Sequence, residues 1–431
     1  MIKFFLNGKI DSDSKLTFFF FKSDKSRSNF MFMQFQKDKI IILLTVLIDV
    51  IGLGIIIPVL PYYVESFGVS SFVVTLLFSS FALFSFVSGP FLGALSDKIG
   101  RRPVLIISII STAIGWFVFA SANAVWVLFL GRIIDGMAAG NFPIAQSYLV
   151  DIAKSDKERT TNLGMIGAVF GIGFIVGPAI GVILSAISPA LPFWFVGVLA
   201  MLNAIGAYFF LSETHNNREA MQKRIPINPL TPLINAVRDE KLRGRYLSWF
   251  LFGVAFAGMQ SIFALFTKSV FGFSAVATGY LFTGMGVVLV INQTFALKKI
   301  WLKYFKEVDL EIWFFVVMSL GFVFADLKIL PLFAIGIFLT TLGQSTLRVV
   351  MSSGIAGAAG QMRRGEVMGV MASIMSASMI VGPLLAGALF EKNVQLPFLM
   401  NIILLIVAFL IMKKCCGIGR VAENVEVQTV A

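Results

Sequence analysis

Charge is scarce in this chain. Of its 431 residues only 13% are Asp, Glu, Lys or Arg, against 58% hydrophobic, and the mean hydropathy is +0.89. Soluble domains carry about 25% charged residues, so a soluble fold of this length could not cover its own surface. Histidine occurs once, as His215, and cysteine twice, as the adjacent Cys415 and Cys416. Those counts exclude a disulfide framework and a His/Cys metal cluster. The cysteine pair reads as two reduced thiols, or alternatively as an acylation site beside a membrane helix. No Gly-x-x-x-x-Gly-Lys-Ser/Thr phosphate loop is present, which removes ATP as an energy source. The apolar stretches are continuous rather than short and alternating, which excludes a closed β-barrel.

What is present is a series of twelve apolar segments: 39–62, 71–95, 104–121, 126–149, 161–186, 192–211, 245–267, 275–297, 310–326, 329–351, 366–390 and 397–412. Most are close to the ~20 residues that cross a hydrocarbon core, and they predict an all-α polytopic membrane protein. With the N-terminus placed inside, only Lys268, Lys328 and Lys392 of the 35 Lys and Arg face outward, while Arg132 and Arg348 lie within spans. The positive-inside rule therefore predicts cytoplasmic N- and C-termini. The net charge of +12 is a topology signal, and no nucleic-acid partner is needed to explain it. Residues 1–38 read as a cytoplasmic tail, with Met31 or Met33 as alternative starts. An N-terminal six-helix bundle at 39–211, a central cytoplasmic loop at 212–244, a C-terminal bundle at 245–412 and a tail at 413–431 follow.

The halves repeat. Ser66-Phe67-Gly68-Val69-Ser70 returns as Val270-Phe271-Gly272-Phe273-Ser274, and Ile175-Val176-Gly177-Pro178 as Ile380-Val381-Gly382-Pro383, at offsets of 204 and 205. Parallel six-helix repeats are a transporter architecture, with the substrate site between the halves near the membrane midplane.

Three motifs carry more. The loop after the second segment reads Gly93-Ala94-Leu95-Ser96-Asp97-Lys98-Ile99-Gly100-Arg101-Arg102-Pro103. Asp97 can pair with Arg101 or face the positive end of a neighbouring helix; the bland alternative is a basic loop that only anchors topology. The first segment holds Asp49-x-x-Gly52-x-Gly54-x-x-x-Pro58-Val59-Leu60-Pro61, and the fifth holds Gly164, Gly173, Gly177, Pro178 and Gly181. On these motifs the sequence resembles the major facilitator superfamily, in its drug:proton antiporter branch and close to tetracycline-type efflux proteins, across residues 39–412. The resemblance implies twelve helices in two pseudo-symmetric six-helix bundles. It implies a conformational latch formed by Gly93, Asp97, Gly100, Arg101 and Arg102 with Asp151 as acidic partner, stabilising the outward-open state. It also implies an antiporter motif in the fifth helix, with Val182 where the family usually has a second glycine.

The charges inside the membrane bear on mechanism. Asp49 lies near mid-depth of the first segment, and Arg132 and Asp135 lie three apart on one face of the fourth. An ionisable group at mid-membrane costs roughly 2.5–3.5 kcal/mol on insertion scales, so these three are expected to face the central cavity and one another. Arg132 resembles the arginine of the family's fourth-helix motif, and Asp135 falls where that motif usually has glutamine. Asp49 matches an acidic position of the tetracycline-like branch. Burial without a full-time partner favours a protonated carboxyl, which suits a proton carrier. The alternative is a buried Asp–Arg pair that only locks the helices.

In the second half Gln260, Asn292, Gln293, Gln344 and Arg348 are the polar cavity candidates, though Arg348 could equally snorkel from the helix end. The chain departs from tetracycline exporters at Gly115, close to where they carry an acid, and in having no mid-span acid in the ninth segment. The resulting expectation is a secondary active transporter that exports a small, drug-like amphipathic compound in exchange for protons by alternating access. It needs no cofactor beyond the proton gradient. Its partners are the lipid bilayer, a small-molecule substrate and protons, and it acts as a monomer in the cell's inner (plasma) membrane. The alternatives are a carrier of a metabolite, sugar or lipid, and a membrane-embedded transferase, for which no polar catalytic cluster is found.

Overall fold

The computed structural model describes residues 14–137, 139–214, 228–359 and 363–416. His215, the stretch 215–227 of the central loop and the tail beyond 416 lie outside the described residues. Lipid offers no hydrogen bonds to the backbone, so each crossing segment must satisfy its own amides. Among the described residues, twelve helices long and apolar enough to cross a membrane do this. They are α1 (Lys37–Glu65), α2 (Ser71–Ile99), α3 (Arg101–Ala120), α4 (Val125–Asp151), α5 (Thr161–Ser185) and α6 (Leu191–Phe210) in the first half. In the second half they are α7 (Arg243–Phe271), α8 (Ala275–Tyr304), α9 (Glu307–Asp326), α10 (Leu330–Ala358), α11 (Gly365–Lys392) and α12 (Leu396–Cys415). The helix containing α1 begins earlier, at Ser14, inside the stretch read as a tail. No Gly or Pro interrupts residues 14–51, so nothing in the sequence stops the helix there.

The internal repeat is written in the backbone. Gly68 and Gly272 hold left-handed φ values of +65° and +67° in matching turns, a conformation that costs glycine little. The turns lead into α2 and α8 through Ser70 and Ser274, both extended. The helix crossings repeat as well. A Cβ on Gly177 of α5 would stand 3.0 Å from the Gly54 Cα of α1, and one on Gly382 of α11 2.8 Å from the Gly258 amide of α7. Gly115 and Gly131 bring α3 against α4 in the same way that Gly321 and Gly336 bring α9 against α10. In lipid, such small residues let backbones approach closely. The buried core divides along the same line, with one cluster drawn from residues 236–412 and two from residues 41–211.

Two irregularities shape the interior. α4 is interrupted between Met137 and Asn141; Pro143, which lacks an amide hydrogen, sits just past the break. α8 is π-helical over Asn292–Trp301. The central loop contains a further helix, Thr231–Arg238, tethered through Asp239 to Arg363 at 2.8 Å.

The two ends of the molecule differ. Loops rich in Lys and Arg, between α2 and α3 and between α6 and α7 among others, mark a basic face. At the opposite face the halves are joined. Tyr62 donates to the Phe273 carbonyl at 2.8 Å, the Phe72 amide donates to Glu391 at 3.1 Å, and Glu65 pairs with Lys268. Deeper in, Ser79 donates to the Ile380 carbonyl at 2.9 Å. At the basic face no hydrogen bond or ion pair joins the halves among the described residues. There Gly93, Gly164 and Gly369 have open space where a Cβ would stand. The conformation is closed at one face and open at the basic one.

Candidate functional site

Helix spacing builds the cavity between the halves. Asp49 and Leu53, four apart on α1, line one connected space with Phe170 of α5. Phe252, Phe256 and Gln260 form a stripe at spacing four on α7, and Gln344 and Arg348 do the same on α10. Residues four apart share a helix face, so each helix turns one consistent stripe inward. The charged part of this space, within the first half, holds about 770 Å³ including its open mouth. A second, apolar part of about 740 Å³, again counting its open mouth, runs between α7, α8, α9 and α10. Gln260 and Gln344 stand at its junction with the narrower space that contains Arg348.

In the charged part Arg132 and Asp135 are buried and joined at 3.1 Å. The guanidinium also lies over Phe81 at 4.3 Å and Trp116 at 5.4 Å, so ion pairing and cation–π attraction both hold it. Asp49 is half-buried beside this pair and forms no ion pair with Arg132. Its hydrogen-bond partner is the Asn141 amide nitrogen at 3.2 Å, which also reaches the Thr112 hydroxyl at 3.3 Å. The expectation that all three charged groups face one another thus holds for two of them, with an amide standing between Asp49 and the rest. Asn141 is absent from the sequence reading. Its signal was the glycine before it and Pro143 after it, which break α4 and turn the second piece toward α1 and α3. Gly115 is also explained: a Cβ there would lie 2.9 Å from the Asp135 Cβ and the Gly131 carbonyl, so an acid has no room.

The second-half candidates separate. Gln260, Gln344 and Arg348 line the cavity. Asn292 does not. It is buried between α8 and α10, donating to Ser345 at 2.6 Å and Thr346 at 2.9 Å and accepting from the Trp301 indole at 2.9 Å. The π-helical turn aims this side chain away from the cavity and into packing. Gln293 is half-buried and lies outside the lining of these spaces.

At the basic face Arg101 pairs with Asp97 at 2.5 Å and with Asp151 at 2.9 Å, and donates to the Ser96 hydroxyl at 3.1 Å. Gly100, at φ +114°, makes the turn that brings Asp97 and Arg101 together across the α2–α3 junction. Arg102 donates to the Tyr208 carbonyl at 2.6 Å. The α3 N-terminus has no capping side chain of its own. Glu213 supplies one, accepting from the Arg101 and Arg102 amides at 3.0 and 3.2 Å, where a carboxylate also meets the positive helix end. The uncapped helix start was the signal for a partner elsewhere in the chain. Among the described residues no hydrogen bond or ion pair of Arg101 reaches α11. Gly93 faces open space, as does Gly164, whereas Gly173, Gly177 and Gly181 pack α5 against α1. The second half has its own charge pair, unforeseen from the sequence. Buried Glu311 joins Arg245 at 3.2 Å, beside Gly354, where any side chain would collide with the pair.

A path sealed by helix contacts at one end and open at the other is the architecture of a carrier that alternates between faces. The chain belongs to the Major Facilitator Superfamily, whose sequence profile matches residues 42–306 and 311–415. It is 26% identical over 398 residues to the tetracycline resistance protein, class B, of Escherichia coli, covering 88% of this chain and 97% of that one. It is 28% identical over 358 residues to the quinolone resistance protein NorA of Staphylococcus aureus, covering 82% and 89%. Among solved structures, the human organic anion transporter MFSD10 superposes with a TM-score of 0.67 at 23% identity, and the nucleoside transporter NupG with 0.73 at 14%. Each of these covers 88% of this chain and 99% of its own. The protein is a multi-pass membrane transporter, not an enzyme.

Proposed function

We propose that this transporter exports small, drug-like amphipathic compounds in exchange for protons. Its basic face and both termini lie in the cytoplasm, so the conformation described is inward-open. The reading rests chiefly on Asp49: a carboxyl at mid-membrane, on the cavity wall, with an amide as partner and no cation. Such a group can load a proton from outside, carry it while enclosed, and release it when the cavity opens to cytoplasmic water or a substrate arrives. Proton release and substrate loading are then linked, as antiport requires. Arg132 and Asp135, locked together beside it, set the local field. The relatives named for tetracycline and quinolone resistance support export of compounds of that kind. One chain supplies both halves and the whole cavity, so a monomer suffices, and the proton gradient replaces any cofactor.

The test is Asp49→Asn in proteoliposomes. We expect loss of pH-driven accumulation with substrate binding retained and no longer responsive to pH. Full accumulation by the variant removes Asp49 from the proton path.

A further inference from the structure

Among the described residues Arg348 is the one cation lining the deep cavity of the second half, and none of them pairs with it. Arg132 has Asp135, Arg101 has Asp97 and Asp151, and Arg245 has Glu311. No hydrogen bond or ion pair joins the Arg348 guanidinium to another side chain among the described residues. Its side chain is exposed, yet to the space between the halves rather than to lipid. Leu53 and Phe170 of the first half close that space from one side, and Phe252 and Met375 of the second from the other. The polar groups on the same walls are Gln260 and Gln344, one from each flanking helix, and no acid is among the lining residues there. A charge at membrane depth is expensive and marks a functional position. One that no described acid neutralises is left for something the cavity takes in.

We propose that the substrate carries an acidic group and that Arg348 receives it. A planar guanidinium binds a carboxylate through two parallel N–H donors, and the two glutamine amides can donate to the remaining acceptor positions. The stripes of Phe on α5 and α7 and Met on α11 then hold an apolar, aromatic body. Mostly apolar walls with a few placed polar groups are the usual make-up of a small-molecule pocket. The anion is held in the second half, and the proton site at Asp49 lies in the first, so the two are loaded separately. This inference takes the cavity of the proposed exporter as the substrate site and adds the substrate's chemical class.

A matched pair of probes tests it: 1-naphthaleneacetate and the uncharged 1-naphthaleneacetamide, bound at equilibrium to protein purified in a neutral detergent. The expected result is acid binding at least tenfold tighter than amide binding. Arg348→Gln should abolish that preference, bringing acid binding to the level of the amide, with an unchanged thermal melting temperature showing that the variant is folded. Arg348→Lys, which keeps the charge without the two-pronged geometry, should retain part of it. Equal binding of acid and amide by the parent, no binding of either, or a preference that survives in Arg348→Gln overturns the proposal. Loss of acid binding in nanodiscs of phosphatidylglycerol but not of phosphatidylcholine assigns Arg348 to a lipid headgroup and also overturns it. A retained acid preference together with normal pH-driven accumulation by Asp49→Asn would sink only the proton reading.

Discussion

The amide of Asn141 reaches two helices at once, Asp49 on α1 and Thr112 on α3, from the first turn after the break in α4. Replacing it with leucine strips Asp49 of its hydrogen-bond partner. Leaving a buried polar group unsatisfied costs about 1–3 kcal/mol, and with Asp49 in the proposed proton role we expect Asn141→Leu to slow efflux on the order of tenfold at normal insertion. Efflux equal to the parent, normalised to inserted protein, would show that the amide is only packing. A second residue-scale contrast involves pH. Burial pushes the Asp239 carboxyl up, but hydrogen bonds from Arg363 and from the Leu242 and Lys241 amides outweigh it and bring the group below the usual carboxylate range. A depressed carboxyl loses its interaction only as pH falls through that lowered value, well outside the range in which cells work. Asp239→Asn should therefore leave the pH profile of transport unchanged, whereas Asp49→Asn should flatten it.

At the scale of helices, α5 shows two kinds of glycine. Gly177 faces the Ile51 carbonyl at 2.9 Å and the Gly54 Cα at 3.0 Å from where a Cβ would stand, while Gly164 has open space around it. Overpacking a tight contact costs roughly 1–3 kcal/mol, more where backbone is the obstacle. Gly177→Leu should separate α5 from α1, producing inactivity or proton leak, and Gly164→Leu should insert and fold normally. Proton flux and thermal unfolding of the two variants compare them directly; coupled transport by Gly177→Leu would return that crossing to ordinary packing. The glycine pairs also explain why the halves look alike. The same backbone approaches are needed at α1–α5 and α7–α11, so the sequence keeps a small residue at each.

For the whole molecule the question is which face is closed. Val182, where the resembling family usually has glycine, fills the space beside Gly279 of α8, and a side chain on Gly279 would overlap it. That contact seals the face opposite the basic one. Gly279→Val should force it apart and shift the population toward the state open at that face. Asp97→Asn, which removes a partner of Arg101 at the basic face, is expected to shift it the other way. A change of about 1.4 kcal/mol alters the ratio of states tenfold, enough to be read by thiol labelling of single cysteines placed on the two faces. Shifts of the same sign in both variants, or none, would refute the two-gate description.

The sequence alone determined the number of helices and their division into halves. Those properties follow from local chemistry: apolar runs of spanning length, glycine at fixed spacings, and charges where charges are costly. Gly68 and Gly272 were legible as a repeat because the same turn demands the same residue. Partnership was not legible. Asp49 bonds Asn141 rather than Arg132, Asn292 packs inward rather than lining the cavity, Glu213 caps a helix more than 100 positions earlier, and Arg348 stands without an acid among the described residues. Each of these depends on how helices distant in sequence rotate against one another, and a π-turn in α8 or a break in α4 swings a side chain from one neighbour to another. Which face is open is likewise a property of the assembled halves, because the same residues must serve both states and only their contacts distinguish them.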